Sequence, residues 1–366
     1  MQKTAKLNAH RGPVRWGILG TGWVAGEFAK GLRYVSHAQL TAVGSRSQEK
    51  AAKFAGAYHV PHAHGSYEAL VGDSDVDVVY IATPHSRHKT DCLMAFAAGK
   101  AVLCEKPFAV NAGEAEQVIN AARSQGVFCM EAMWMRFMPA IRKAHEIVRS
   151  GAIGQVRMLT ADFGVPTVFD PANRAFNAAL GGGALLDRGV YPLSLAFELF
   201  GAPTAVQSSV HMTQTGVDEH TSVLLQYAHG QIASISATLT GYASNEAVII
   251  GTEGRLTIHE PFCRPDRITL RKAPHFAGGG TGHDSLKQRV KSSLKNSAVV
   301  RRVHGWLPGR SGSLNVPYEG NGYNHEAAEV GRCLAAGQTE SSLMPLNETL
   351  EIMRTLDLIR AHWHKN

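Results

Sequence analysis

The feature that most constrains this chain is a short apolar run, VRWGIL, that passes directly into Gly20-Thr21-Gly22-Trp23-Val24-Ala25 and then into a helical pattern. The spacing is GxGxxA at a strand-to-helix turn. Gly20 permits the tight turn, Gly22 lets the backbone approach a pyrophosphate, and small Ala25 allows close packing of helix on strand, while the helix N-terminus attracts phosphate charge. In a chain with 37 glycines the spacing alone is weak. Its position at the head of a βαβ unit is what makes it a dinucleotide signature and commits the chain to a parallel sheet. Thr21, Trp23 and Val24 are expected at the cofactor with the two glycines.

The alternation continues through LTAVGS and a helix past Lys50, VDVVYIA and a helix around Leu93, then AVLCE and GVFCM, each after a helical stretch. After about residue 150 the texture changes to VRMLTADFG, TSVLLQYA, QIASISATLT, EAVIIG and GRLTIHE, short-linked strands that read as an antiparallel sheet. Between them stands GGGALLDRGVYPLSLAFELFG, a glycine turn and an amphipathic helix, and two helical patterns close the chain. The expected fold is therefore α/β plus α+β: a Rossmann doubly wound parallel sheet over residues 1–133, then a substrate-binding and oligomerisation domain over 134–366 built on a large, mostly antiparallel sheet. A length of 366 residues suits two domains.

At the end of the second strand, where an NAD enzyme usually places an acid for the ribose hydroxyls, the chain has Gly44-Ser45-Arg46-Ser47. Arg46 offers a planar, permanently charged fork for a 2′-phosphate, with Ser45 as a further donor and Lys50 nearby, so NADP is expected over NAD. Thr83, Pro84, His85 and His88 lie at another strand end and are expected to border the nicotinamide. In Cys104-Glu105-Lys106-Pro107, Lys106 projects from a strand's carboxyl end, where a lysine can stabilise a developing alkoxide, and Glu105 and Lys106 are also expected at the cofactor. His59, His62 and His64 mimic a ligand cluster but lead into a Rossmann helix; they read as surface histidines, and no metal is expected.

Along nearly its whole length the sequence resembles the glucose-fructose oxidoreductase, inositol dehydrogenase and MocA family, through GILGTGWVA, AVGSRS, YIATPHSRH, GKAVLCEKPFAVN, AMWMRFMP, GALLDRGVYP and YNHEAAE. The resemblance implies that Lys106 is the catalytic lysine, Asp187 the family's aspartate, and Tyr191 the acid/base, where inositol dehydrogenases have histidine. Tyrosine there, with AMWMRFMP, is similar to the dihydrodiol dehydrogenase and NADP-dependent sugar dehydrogenase branch. Asp187 and Tyr191, four apart on one expected helix, share a face. An unperturbed tyrosine titrates near ~10, and the Lys106 ammonium and a nicotinium ring are expected to lower that value. Trp134, Arg136 and Phe137 are placed as walls of the cleft, the first two also toward the cofactor, or alternatively as core beside four methionines. Phe163 and Arg174 are expected substrate contacts.

The charge balance of +7 invites a nucleic-acid reading, but it is local: residues 273–314 hold seven Lys/Arg against one acid, and residues 1–15 hold four against none. Nucleic acid is therefore not an expected partner. The Gly-rich, basic 273–314 segment is a departure from the family; Leu286, Val290 and Leu294 recur at helical spacing, and cap, docking element, anion site, membrane-surface contact and solvated loop remain open for it. No run approaches the roughly 18 apolar residues of a spanning helix, which sets the expectation of a cytoplasmic protein without a membrane partner. The five cysteines, at 92, 104, 129, 263 and 333, have no paired spacing and read as reduced, buried thiols. The expected activity is NADP-dependent hydride transfer at a secondary alcohol or ketone of a sugar, cyclic polyol or diol, by a homodimer or homotetramer as the resemblance implies. The alternative is a non-catalytic NADP-sensing protein of the same fold that regulates a partner.

Overall fold

The structure, a computed structural model, describes residues 12–274 and 312–363. Its first layer follows the alternation closely: β1 (Val14–Leu19), α1 (Trp23–Leu32), β2 (Ala38–Gly44), α2 (Gln48–Tyr58), β3 (His62–His64), α3 (Tyr67–Val71), β4 (Val78–Ile81), α4 (His88–Ala97), β5 (Ala101–Glu105), α5 (Ala112–Gln125) and β6 (Cys129–Ala132). The strands form one parallel sheet in the order β3-β2-β1-β4-β5-β6. Strands such as β4, VVYI, are buried at every position, because helices cover both faces of such a sheet. Helix starts carry their own caps: Ser47 accepts from Lys50 N–H at 3.3 Å to open α2, and Asn111 accepts from Glu114 N–H at 2.8 Å to open α5.

After α6 (Pro139–Arg149) the chain builds a second sheet from β7 (Val156–Gly164), then, past α7 (Val190–Phe200), β8 (Ala205–Met212), β9 (Asp218–Gln226), β10 (Ile232–Thr238), β11 (Ala247–Gly251), β12 (Gly254–Ile258), β13 (Arg267–Lys272) and β14 (Gly312–Asn315). Its order is β14-β13-β12-β11-β7-β10-β9-β8. All neighbours are antiparallel except β7 and β10, which run parallel in its centre. The end of the basic segment is thus a sheet strand, whereas its Leu286, Val290 and Leu294 lie outside the described residues.

The last two helices, α8 (Tyr323–Ala335) and α9 (Leu346–His362), return to the first layer. Asn321 donates to the Glu27 carbonyl at 2.8 Å, the Ala112 N–H to Asp357 at 2.8 Å, and the Cys129 N–H to the Thr339 carbonyl at 3.0 Å. One continuous apolar interior consequently runs from Val14 to Ile359 through both sheets. All five cysteines are buried free thiols.

Candidate active site

Sheet order places β1 beside β4, so the carboxyl ends of these strands open the crevice in which doubly wound folds bind ligands. Gly20 turns there with φ +105°, held by its N–H to the Gly44 carbonyl at 2.9 Å; a Cβ on it would meet the Ala82 carbonyl oxygen at 2.7 Å. A Cβ on Gly22 would meet nothing within 4 Å, so the backbone faces open space at the start of α1. That helix has neither a side-chain cap nor an acid in its first turn, which leaves its N–H groups for an anion. This arrangement fits a dinucleotide pyrophosphate. Ala25 is fully buried, as the fingerprint requires, and close packing extends to Gly26, where any Cβ would strike the Tyr58 hydroxyl.

Of the other residues expected at the cofactor, Trp23 is 75% exposed beside the turn, and Thr21 and Val24 are partly buried. Ser45 is buried at the end of β2, while Arg46 and Lys50 are exposed beyond it. Arg46 lies beside the Tyr67 phenol, and Arg87, which has no motif to single it out, lies over the same ring at 5.4 Å from its centroid.

The catalytic candidates converge. Lys106 leaves the end of β5 and its ammonium donates to Asp187 twice, to the backbone carbonyl at 2.7 Å and to Oδ1 at 3.2 Å. That carbonyl lies in Leu185–Gly189, which is a π-helical turn, not the regular helix expected; a π-turn widens the coil and loosens the i→i+4 ladder. Arg174 adds an ion pair to Asp187 Oδ1 at 3.1 Å. Burial pushes the Asp187 carboxyl up, but Lys106, Arg174, His85 and Arg188 outweigh it and hold the carboxyl well below the usual range. The aspartate is therefore a fixed anion that aims the lysine.

Tyr191 opens α7 with the Lys106 Nζ 4.7 Å above its ring centroid, and Trp134 Nε1–H donates to its hydroxyl at 2.7 Å. The Lys106 ammonium alone does not lower its pKa: burial, above all, raises the phenol well above its ordinary value, with Cys263, Tyr323 and Glu105 adding to the rise. The ammonium sits over the ring face rather than in line with the oxygen, so it stabilises the aromatic system more than a phenolate. Phe163 stands edge-on to the Tyr191 ring at 5.3 Å, and Trp134 stacks on Tyr323 at 4.8 Å. The role of Tyr323 in bracing Trp134 carried no sequence signal beyond the YNHEAAE motif.

Among the other expected residues, Arg136 and His88 are placed differently. Arg136 is 1% exposed; its guanidinium meets Ser194 Oγ at 2.7 Å, the Ser194 carbonyl at 3.0 Å, the Leu343 carbonyl at 3.4 Å and Glu348 at 2.5 Å. It ties α7 to the start of α9 from beneath and forms no wall of the cleft. Phe137 is buried beside it in the core. His88 is fully buried between the carbonyls of Pro107 and Thr83, at 2.9 and 3.0 Å, and links two strand ends rather than facing a ligand. Thr83 donates to Asp91 at 2.7 Å. Pro84 precedes the short turn that carries His85. His85 reaches the Gly181 carbonyl through Nδ1 at 2.8 Å and Arg174 through Nε2 at 3.4 Å. A carbonyl only accepts and a guanidinium only donates, which fixes a neutral ring with the proton on Nδ1; burial, chiefly, lowers its pKa to about 3. Buried Glu105 accepts from the Tyr80 hydroxyl and from the Lys106 N–H at 3.2 Å. Of the three histidines read as surface residues, only His59 is exposed. His62 and His64 are partly buried and bonded to Asp73.

Comparison with known proteins agrees with this architecture. A family model described as an oxidoreductase family with an NAD-binding Rossmann fold matches residues 14–133, and the GFO/IDH/MocA C-terminal domain matches residues 141–257. Trans-1,2-dihydrobenzene-1,2-diol dehydrogenase of Mus musculus is 34% identical over 351 residues, 95% of this chain and 96% of that protein. The enzyme of the same name from Danio rerio is 36% identical over 335 residues, 90% and 91% of the two chains. Among solved structures, a 3-ketoreductase from Actinomadura kijaniata in complex with NADP and TDP-benzene superposes with TM-score 0.78 at 23% identity, covering 96% of this chain and 98% of the other. An aldose-aldose oxidoreductase from Caulobacter crescentus complexed with glycerol gives 0.77 at 24% identity with the same coverage.

Proposed function

We propose, from the premise that this chain belongs to the GFO/IDH/MocA oxidoreductase family, that it is an NADP-dependent enzyme interconverting a secondary alcohol and a ketone on a sugar, cyclic polyol or diol. The observation that carries the reading is the convergence of Lys106, Asp187 and Tyr191 beside a glycine turn suited to a pyrophosphate. Residues 1–133 then hold the cofactor and residues 134–366 supply the substrate side. Gly20 and Gly22 would hold the pyrophosphate, and Ser45 and Arg46 the 2′-phosphate; NADP is the hydride carrier of the reaction.

The protein's own part is orientation and proton transfer. An indole N–H only donates, so Trp134 occupies a lone pair on the Tyr191 hydroxyl and leaves its proton free for a substrate oxygen. Burial keeps that proton on the phenol at neutral pH, so in the reducing direction Tyr191 is the general acid. Lys106, aimed by Asp187, supplies positive charge where the carbonyl oxygen becomes an alkoxide. Arg174 and Phe163 border the same space and would contact substrate, the first through hydroxyls and the second through a ring face. The reading includes a homo-oligomer. Its support is the outer face of the second sheet, where Ser222, Ser234, Ser236 and half-exposed Met158 lie on the central strands, with Asp162, Arg255 and Arg271 as charges on the same face.

The test follows nicotinamide absorbance across sugars, inositols, diols and ketones with NADP and with NAD. Turnover on one of these classes with NADP is expected, and Lys106→Met should bind NADP yet lose most of it. NADPH binding without turnover on any of them would replace the enzyme with the non-catalytic sensor, and a strong preference for NAD would remove Arg46 from its role.

A further inference from the structure

β3 is the edge of the first sheet and only three residues long. Strand alternation puts His62 and His64 on one face of it. Asp73, beyond α3, meets that face, with its Oδ2 at 2.7 Å from His62 Nδ1 and 2.9 Å from His64 Nε2. Among the described residues this is the one group of three whose ligand atoms, all within 4.8 Å of one another, can converge on an ion. A tetrahedral ion with bonds of about 2.0–2.1 Å holds its ligands roughly 3.3 Å apart, so the two contacts need open by only about half an ångström.

We propose that His62, His64 and Asp73 form a site for one divalent transition-metal ion of the Zn2+ or Ni2+ class, with the remaining coordination left to water. Two imidazoles and one carboxylate select such ions over Ca2+ and Mg2+, which prefer all-oxygen sets. The aspartate is already oriented: its Oδ1 accepts from the Asp75 N–H at 2.8 Å and its carbonyl from the Lys100 ammonium at 2.7 Å. The ion would pin the sheet edge to the loop after α3. The His64 carbonyl accepts from the Ser45 N–H at 3.0 Å, so this clamp would also brace the turn carrying Arg46; that consequence alone rests on the NADP reading.

The experiment uses the full chain stripped with a chelator. Zn2+ retention is measured by equilibrium dialysis, and Co2+ is followed by its visible absorption. One ion per chain is expected, with affinity falling at least about tenfold in His64→Gln and in Asp73→Asn and unchanged in the exposed control His229→Ala. Metal-free thermal melts establish that the variants fold, with His62→Gln as a third should one fail. Zn2+ should raise the melting temperature of the wild type and not of the variants. A wild type that retains no stoichiometric Zn2+, or folded variants that bind as tightly as it does, would overturn the site. Neither readout depends on turnover, so the site and the enzymatic reading can fail separately.

Discussion

Replacing Tyr191 by phenylalanine removes one oxygen and leaves the ring, with its edge-on contact to Phe163 and its place under Lys106, intact. Two consequences follow, of different size. The Trp134 N–H loses its buried acceptor at 2.7 Å, and an unpaired buried donor costs about 1–3 kcal/mol of folding stability. The reaction loses its proton donor, a loss of about 10²–10⁴-fold in kcat, or roughly 3–5 kcal/mol in the barrier. Cofactor affinity should not change, because the hydroxyl is committed to Trp134 and the substrate. Urea unfolding measures the first quantity, nicotinamide absorbance at saturating substrate the second, and fluorescence titration with NADPH the third. The pH profile separates proton transfer from mere damage. Burial raises the phenol above its ordinary value, so in the oxidising direction the deprotonated fraction, and with it kcat, should climb about tenfold per pH unit through neutrality. Tyr191→Phe should lose that slope. A variant that keeps more than about a tenth of kcat, or keeps the slope, refutes the role assigned to this hydroxyl.

Arg46→Ala should weaken NADP binding by about 10–100-fold, the worth of a charge-assisted contact to phosphate, and leave NAD binding nearly unchanged; equal losses for both would refute the 2′-phosphate reading. Gly20→Ala forces a side chain onto φ +105° and into the Ala82 carbonyl, so urea unfolding should show a loss of at least about 2 kcal/mol, with dinucleotide binding abolished. Glu131 is fully buried, and burial, chiefly, raises its carboxyl to about 7 against contributions from Thr349, Arg136 and the Phe108 N–H. The native state therefore holds this proton more tightly than the unfolded chain: the stabilisation is complete below about 4.5 and is lost as pH rises through about 7. Glu131→Gln should flatten that part of the stability profile, leaving the variant more stable than wild type at pH ~8 by on the order of 2–3 kcal/mol in urea titrations.

Much of the fold was legible because its strands are continuous apolar runs. VRWGIL and VRMLTADFG are strands from end to end, and the glycine turn falls between β1 and α1 as its spacing required. What escaped has physical reasons. His-Ala-His has no apolar run, since an edge strand buries little, and β8 and β14 alternate too weakly to stand out from loops. The central parallel pairing of β7 and β10 arises because β10 inserts between β7 and β9, a topological fact that local pattern does not carry. At the site, residue types were readable and environments were not. Arg136 looked like a ligand contact because arginine is rarely enclosed, yet it is enclosed by partners drawn from positions 194, 343 and 348, remote in sequence. Lys106 near Tyr191 suggested a phenolate, but the sign depends on burial and on approach to the ring face, both products of tertiary packing. Asp73 lies nine residues past His64 with no motif between them, so its meeting with both histidines depended on where α3 ends.

The π-helical turn at Leu185–Gly189 makes the spacing of this segment as informative as its letters. A helix advances about 100° per residue, so deleting a single residue there would swing Asp187 by that angle relative to Tyr191 while every side chain stayed the same. Point substitution can tune the site gradually; a change of length is all-or-none, withdrawing at once the carbonyl and the carboxylate that aim Lys106. Insertions and deletions between Gly183 and Tyr191 are thus the events by which a descendant of this chain would leave the chemistry altogether, and any graft of this helix onto another scaffold must carry its extra residue with it.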